Sequence, residues 1–434
     1  MKYQARVLLC MALTVCSVAS QEPEIPVTDS FVTRGVSGSD FDVNGVRILC
    51  DEKTQVLRQI TAVDNISIQG CSQVPIYVGE VAIVHGSKDK NKQSIQANWI
   101  EFPLPQFAGD VSGSAVIDAL PARSTLAAQQ GDLLLRADGY SIQVTSKTKT
   151  AWTAPLQSLV DVKAGDWIDY EGKLSAAGVL IASWTRIGPN VIQKKDEERR
   201  ANNDFDPSTV PPSAKQSRWT LGFEGIDPKK FPPYNDPVMQ ARISEIGNKL
   251  VPAYQRELPD SDPAKIHFRF QLIDTKLFRY AVPLVSGIIL VPHQVAERMQ
   301  NDAQLAAILA DGVASVIEKQ AYGWSPATGK LRAGALAAEV AGSSVPFVAL
   351  AGTITLVSTE KKVRWDPPDQ SVRVSLDLLN DAGYDIDQAP VAWWLLASKP
   401  PKPISEISLP YHTTYLYGIL GECWHNPRAA AAAR

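Results

Sequence analysis

Asn301-Asp302-Ala303-Gln304-Leu305-Ala306-Ala307-Ile308-Leu309-Ala310-Asp311-Gly312-Val313-Ala314-Ser315-Val316-Ile317-Glu318 sets the character of the second half of the chain. Leu305, Ile308, Leu309, Val313, Val316 and Ile317 recur at helical spacing, which predicts an amphipathic or buried helix. Asn301 or Asp302 supplies its N-cap. Gly312 inside it costs about 1 kcal/mol relative to alanine, so packing has to hold the helix together. Asp311, Ser315 and Glu318 share one face, either as a weak oxygen site for an ion or as a solvated polar face.

Around this helix the pattern is mixed α and β. Pro237 to Val251 has helical spacing through Met239, Ile243, Ile246 and Leu250. Ile266 to Ile273 alternates as a strand, and Gly287 to Val291 reads as a second one. A helix through Val374, Leu376, Leu378 and Leu379 stops at Gly383, a residue suited to the left-handed cap. Ala389 to Ala397, with Trp393 and Trp394, is a further helix. Val340 to Thr359 carries no charge; buried helices or a hairpin near a cleft are expected there, with peripheral membrane contact as the other reading.

The first half repeats itself. Val78-Gly79-Glu80-Val81-Ala82-Ile83-Val84-His85-Gly86, then Ile95 to Trp99, returns as Ala164-Gly165-Asp166-Trp167-Ile168-Asp169-Tyr170-Glu171-Gly172, then Leu180 to Trp184. The glycines repeat at an offset of 86 and the tryptophans at 85. Asn44-Gly45-Val46-Arg47-Ile48 matches Asp138-Gly139-Tyr140-Ser141-Ile142 at 94, so the first copy holds the longer loop. Short alternating runs broken by Asn-Gly and Asp-Gly predict twisted antiparallel strands closing small barrels.

These copies resemble the OB-like β-barrel modules of exported bacterial proteins, in which a Gly-Asp turn precedes a strand ending in glycine. The resemblance implies ligand binding through exposed aromatics. Trp99, Trp152, Trp167 and Trp184 are the candidates, although Trp99 and Trp184 are expected at equivalent places in the two cores.

The chain has 434 residues, 45% of them hydrophobic, enough for two or three domains with real cores. Its net charge of −3 gives no strong field, and nucleic acid is not an expected partner. Lys2 and Arg6, an apolar run from Val7 to Val15 and small residues at Ser17, Ala19 and Ser20 read as a signal peptide over residues 1–20. Periplasmic or secreted localisation follows; lipoprotein anchoring through Cys16 is the weaker reading, since Val15 is too large before the cysteine. Cleavage leaves Cys50, Cys71 and Cys423. Export permits a disulfide between Cys50 and Cys71, and two buried thiols are the other reading.

The second half, from Trp219 to Leu420, resembles the zinc metallopeptidases of the CaaX-prenyl-protease and BepA type. Tyr280-Ala281-Val282-Pro283 with Ser286-Gly287-Ile288-Ile289-Leu290-Val291 is similar to that family's strand before the zinc helix, and Asp381-Ala382-Gly383-Tyr384-Asp385 to its later turn. The resemblance implies zinc held by HExxH and a third carboxylate from a later helix. The chemistry is missing from this chain. The HExxH positions fall on Asp311, Gly312 and Ser315. The third ligand falls at Pro368, or at Asp369 with a one-residue shift, and the following aspartate at Val372. The later His-Pro pair is Leu409-Pro410. His85, His267, His293, His412 and His425 share no ligand spacing.

The expected architecture is therefore a signal peptide, two small all-β barrels over 31–110 and 111–190, and a charged, proline-containing solvated linker over 191–217 with a short helix in its charged part. An α+β, mainly helical, gluzincin-type metallopeptidase-like domain follows over 218–425, with a tail at 426–434. The leading expectation is an exported pseudoenzyme, without cofactor, that binds extended polypeptide or scaffolds envelope proteins. Ser286 to Val291 would act as the pairing edge strand, as in active relatives. The alternatives are a metal-dependent endopeptidase with a non-standard site, the only case in which zinc is expected, and a glycan- or ligand-binding protein acting through the barrels.

Overall fold

A computed structural model describes residues 27–60, 64–89, 94–104, 110–120, 132–175, 177–211, 214, 221–222, 225–226, 231–276, 278–319, 367–397 and 410–426. The signal-peptide reading, the uncharged stretch 340–359, Leu409 and the tail from 427 lie outside them. Among the described residues no helix is long and apolar enough to cross a membrane.

Alternating side chains make the first barrel from β1 (Thr28–Ser37), β2 (Asp40–Val43), β3 (Val46–Leu49), β4 (Gln55–Gln59), β5 (Asn65–Gln69), β6 (Val81–Lys88) and β7 (Ser94–Phe102). β1, β2 and β3 form an antiparallel meander, β3 runs parallel to β7, and β6 pairs with both β7 and β1, closing five strands. β4 adds in parallel to the far half of β7, and β5 hairpins onto β4. Val32, Phe41, Ile48, Val84, Ile95 and Ile100 point inward and are fully buried. Cys50 and Cys71 form a disulfide with Cα atoms 6.0 Å apart.

The second barrel repeats this order with β8 (Asp110–Ala119), β9 (Leu133–Ala137), β10 (Tyr140–Val144), β11 (Lys149–Trp152), β12 (Trp167–Leu174) and β13 (Val179–Gly188). β10 closes in parallel on β13, and β11 adds to the far half of β13. Five strands with the third parallel to the last is an OB-like barrel order. The repeat extends to single bonds: Thr54 Oγ1 donates to Ala97 O at 2.9 Å, and Thr148 Oγ1 to Ala182 O at 2.8 Å.

The tryptophan expectation needs correction. Both long hairpins carry a bulge, at Asn98 opposite Gly86 and at Ser183 opposite Gly172. An extra residue switches the phase of alternation. Trp99 and Trp184 therefore sit half-buried on the barrel exteriors, Trp99 stacked on His85 at 4.8 Å, and neither belongs to a core.

The segment expected to be a solvated linker contains α1 (Lys194–Asn203), whose mixed charge had suggested a short helix. It is tied down rather than free. Ser286 Oγ donates to Asn203 O at 2.9 Å, Arg200 Nη1 to Pro263 O at 2.9 Å, and Arg269 pairs with Asp204.

The helical half comprises β14 (Leu221–Gly222), β15 (Gly225–Ile226), α2 (Pro237–Leu250), α3 (Ala253–Glu257), β16 (Arg269–Ile273), β17 (Val282–Pro283), β18 (Ile288–Pro292), α4 (His293–Ala296), α5 (Asp302–Ile317), α6 (Pro367–Asp381), α7 (Gln388–Ala397) and α8 (Tyr411–Ile419). A π-helical turn over Leu420–Trp424 extends α8. The Asn301 side chain accepts from Gln304 N at 2.9 Å and caps α5, which is flanked by α2, α6 and α7. α6 ends in a Schellman motif: Tyr384 N donates to Leu379 O and Gly383 N to Asn380 O, with Gly383 at φ +76°.

The pairing-edge expectation for Ser286 to Val291 is overturned. β18 is the central strand of a three-stranded sheet, parallel to β16 and antiparallel to β17, and every residue from Ile288 to Pro292 is buried. A run of four apolar residues without alternation is what a strand covered on both faces requires. The outer side of β16 is occupied too: the Gln240 amide accepts from Leu272 N at 2.9 Å and donates to Phe270 O at 2.7 Å.

Candidate functional site

The helix α5 carries the positions where metallopeptidase chemistry would reside. Gly312 is buried against β18, where an added Cβ would lie 3.1 Å from Ile289 Cγ2. Asp311 is half-buried and Ser315 buried on neighbouring turns. On α6, Pro368 stands in the first turn, Val372 is fully buried in the apolar core, and Asp369 Oδ2 accepts from Tyr411 Oη at 2.6 Å. Glycine and proline bring no side-chain donor, so this set does not fit zinc. Among the described residues no three His, Cys, Asp or Glu side chains gather to hold a metal.

The histidines are dispersed. His85 lies on Trp99, and His293 stacks on Tyr234 at 4.1 Å beside Glu297. His425 meets Asp387 at 2.7 Å, and His267 is exposed. His412 packs against the edge of Trp393 at 4.5 Å, and burial lowers it to about 4.

The polar chemistry of the helical half is concentrated elsewhere, in a seam with the second barrel. The β9–β10 hairpin turns through Asp138 and Gly139, both at positive φ, and its tip presses on α6. A Cβ on Gly139 would lie 2.5 Å from Arg373 Cγ and 2.8 Å from the Arg373 carbonyl carbon, so only glycine fits. Arg373 Nε donates to Asp138 O at 2.6 Å, its Nη2 pairs with the Asp138 carboxylate, and its Nη1 donates to Tyr415 Oη. Tyr170 Oη donates to the other Asp138 oxygen at 2.5 Å, and the guanidinium lies 4.6 Å from the Tyr140 ring centre.

A second cluster lies one turn further along α6. Arg136 Nε meets Asp118 at 2.6 Å and Asp377 at 3.5 Å, and its Nη1 donates to Asp381 at 2.9 Å. Burial raises Asp118 to about 6 against the pull of Arg136. Burial and then the Asp118 charge raise Asp377 well above the carboxylate range. Below both, Glu318 Oε2 accepts from Val116 N at 3.0 Å, while Gln370 Nε2 donates to Ser114 O at 2.9 Å. Glu318 is raised strongly, by burial first and by the Asp138 charge second.

The repeat glycines Gly79 and Gly165, at φ +90° and +93°, both face the helical half. Gly79 lies where a Cβ would be 2.4 Å from Tyr417 O and 2.6 Å from Gly421 N, and Gly165 lies against the Tyr254 ring. Phe31 of the first barrel stacks on Tyr417 at 6.0 Å. Both barrels are thus docked by the same turn of their repeat.

Sequence reasoning placed Glu318 on a polar face but missed its partners, and it missed Asp118, Arg136, Asp138, Arg373, Asp377 and Asp381. One signal was available: Asp369, Arg373, Asp377 and Asp381 recur every four residues in a helix otherwise filled with Val372, Val374, Leu376, Leu378 and Leu379. Chemically the seam is a clamp. Its guanidinium groups are spent on carboxylates of the same chain.

Residues 31–101, the first barrel, match the family described as "Domain of unknown function (DUF5666)". No curated protein matches the chain. The first barrel is thus similar to that family, and the second repeats its strand order.

Proposed function

We propose that this chain is an exported, non-catalytic binding protein built on a metallopeptidase-like helical scaffold, with extended or unfolded polypeptide as its cargo. It acts in the periplasm or outside the cell, and the disulfide between Cys50 and Cys71 supports that placement. The observation that carries the reading is the use made of α5. Its base position is a glycine packed on Ile289, and its terminal carboxylate, Glu318, accepts a backbone N–H of the second barrel. Groups that would activate water in an enzyme are here committed to joining domains.

Fluorescence anisotropy with labelled casein, a polypeptide that stays extended in water, tests the reading. Saturable binding with the label intact is expected, equal in the presence and absence of a chelator. Absence of binding at protein concentrations of about 100 μM, the weak end of transient recognition, would refute it.

A further inference from the structure

The two barrels differ at one place that the repeat makes directly comparable. In the first, β4 is covered along its outer side by β5, with Gln55 opposite Gln69, Val56 opposite Ile68, and Arg58 opposite Ile66. In the second, β11 occupies the place of β4, and among the described residues it pairs with β13 alone. The correspondence is residue by residue: Gln55 pairs with Trp99 of β7 as Lys149 pairs with Trp184 of β13.

Exposure follows from this. Val56 and Arg58 in β4 are buried, whereas Lys149 and Ala151 in β11 are exposed and Thr150 and Trp152 are half-buried. Thr153 N donates to Ile187 O at 2.9 Å. Strand alternation then directs Lys149 and Ala151 toward β13, leaving the backbone N–H and C=O of Thr150 and Trp152 facing the open side. These are the equivalents of Val56 and Arg58, whose partners in the first barrel are the two isoleucines of β5. The first barrel therefore displays the filled form of an edge that the second presents open.

We propose that the outer edge of β11 is the docking site for an extended segment of a partner polypeptide, added antiparallel in the way β5 is added to β4. The filled copy defines the occupant: Asn65-Ile66-Ser67-Ile68-Gln69 is uncharged, with isoleucine at alternate positions. Lys149 replaces Gln55, and Lys147 beside it is also exposed, so the occupant carries an acidic residue near its C-terminal end, where β5 has Gln69. Main-chain hydrogen bonds give the affinity and the alternate side chains give the selection. The inference rests on the polypeptide-binding reading and gives it a site in place of β18.

The probe is an acetylated, fluorescein-labelled peptide of residues 64–70 with Gln69 replaced by Glu, titrated into the full chain. Saturable binding is expected, with slowed amide exchange at Thr150 and Trp152 in NMR spectra of the deuterated protein. N-methylating the peptide at both isoleucines, which leaves the protein untouched, should weaken binding about tenfold or more through loss of two hydrogen bonds. Thr150→Pro should do the same, since its N–H faces outward and an edge strand tolerates proline there. A Lys in place of Gln69 should bind more weakly than Glu.

Undiminished binding by the N-methylated peptide, or slowed exchange at other amides only, would overturn the β11 assignment. If casein still binds in that case, the polypeptide-binding reading survives without this site. If neither peptide nor casein binds, both are overturned.

Discussion

Replacing Arg373 by Met keeps the length of the side chain on α6 and removes the guanidinium from the seam. The side chain of Asp138 is 3% exposed and would lose its charged partner, retaining only the Tyr170 hydroxyl. Breaking a buried pair on one side costs about 3–5 kcal/mol, because the remaining charge stays buried without compensation. Asp138→Asn removes the opposite charge, and it installs the residue that the first barrel has at Asn44. The double variant Asp138→Asn, Arg373→Met should therefore recover part of the loss, with a coupling energy of about 1.5–3 kcal/mol. Urea unfolding followed by tryptophan fluorescence measures all four corners of the cycle. A loss under about 1 kcal/mol for Arg373→Met, or strictly additive single effects, would refute the clamp.

Acidification should stabilise the seam. Asp118, at about 6 when folded, lies above its unfolded value, so the folded state holds the extra proton and stability falls as pH rises through about 6. The urea midpoint should rise between pH 7.5 and pH 5, and Asp118→Asn should flatten that slope; a slope unchanged in the variant counts against the assignment. Gly139→Ala should destabilise by more than about 2 kcal/mol, since positive φ and the Arg373 backbone both oppose a Cβ. Denaturant titration checks it, and a near-neutral result would show that the hairpin tip is not pressed on α6. Gly312→Glu, which restores the base of the peptidase motif, should yield a destabilised protein without peptidase activity, because Ile289 fills the space; folded protein that cleaves casein with added zinc would reverse that view. Replacing Cys50 and Cys71 by alanine should cost about 2–4 kcal/mol for a loop of sequence separation 21, read from thermal melts against the reduced wild type.

The barrels were legible because their information is local. Asn44-Gly45 and Asp138-Gly139 mark hairpins, and the inward residues alternate between them. The fate of Trp99 and Trp184 was not legible in the same way, because one bulge residue, Asn98 or Ser183, inverts the facing of what precedes it. The strand Ile288 to Val291 contained the signal that it is central, an unbroken apolar run, but the likeness to peptidases with an edge there obscured it. α5 was readable as a helix with its cap at Asn301. Its partners were not, since Glu318 meets Val116 across 202 residues of sequence and no periodicity encodes such a pairing. The polar stripe of α6 announced a polar partner without naming the β9–β10 hairpin.

The central claim is that the chain binds polypeptide without cutting it. Its most direct test is to incubate protein, purified without affinity metals, with labelled casein and zinc, following fragment release alongside metal content by mass spectrometry. The account predicts bound, intact casein, no stoichiometric zinc, and no effect of a chelator on binding. Stoichiometric zinc with chelator-sensitive fragments would contradict it and require ligands other than those at Asp311, Gly312, Ser315 and Pro368.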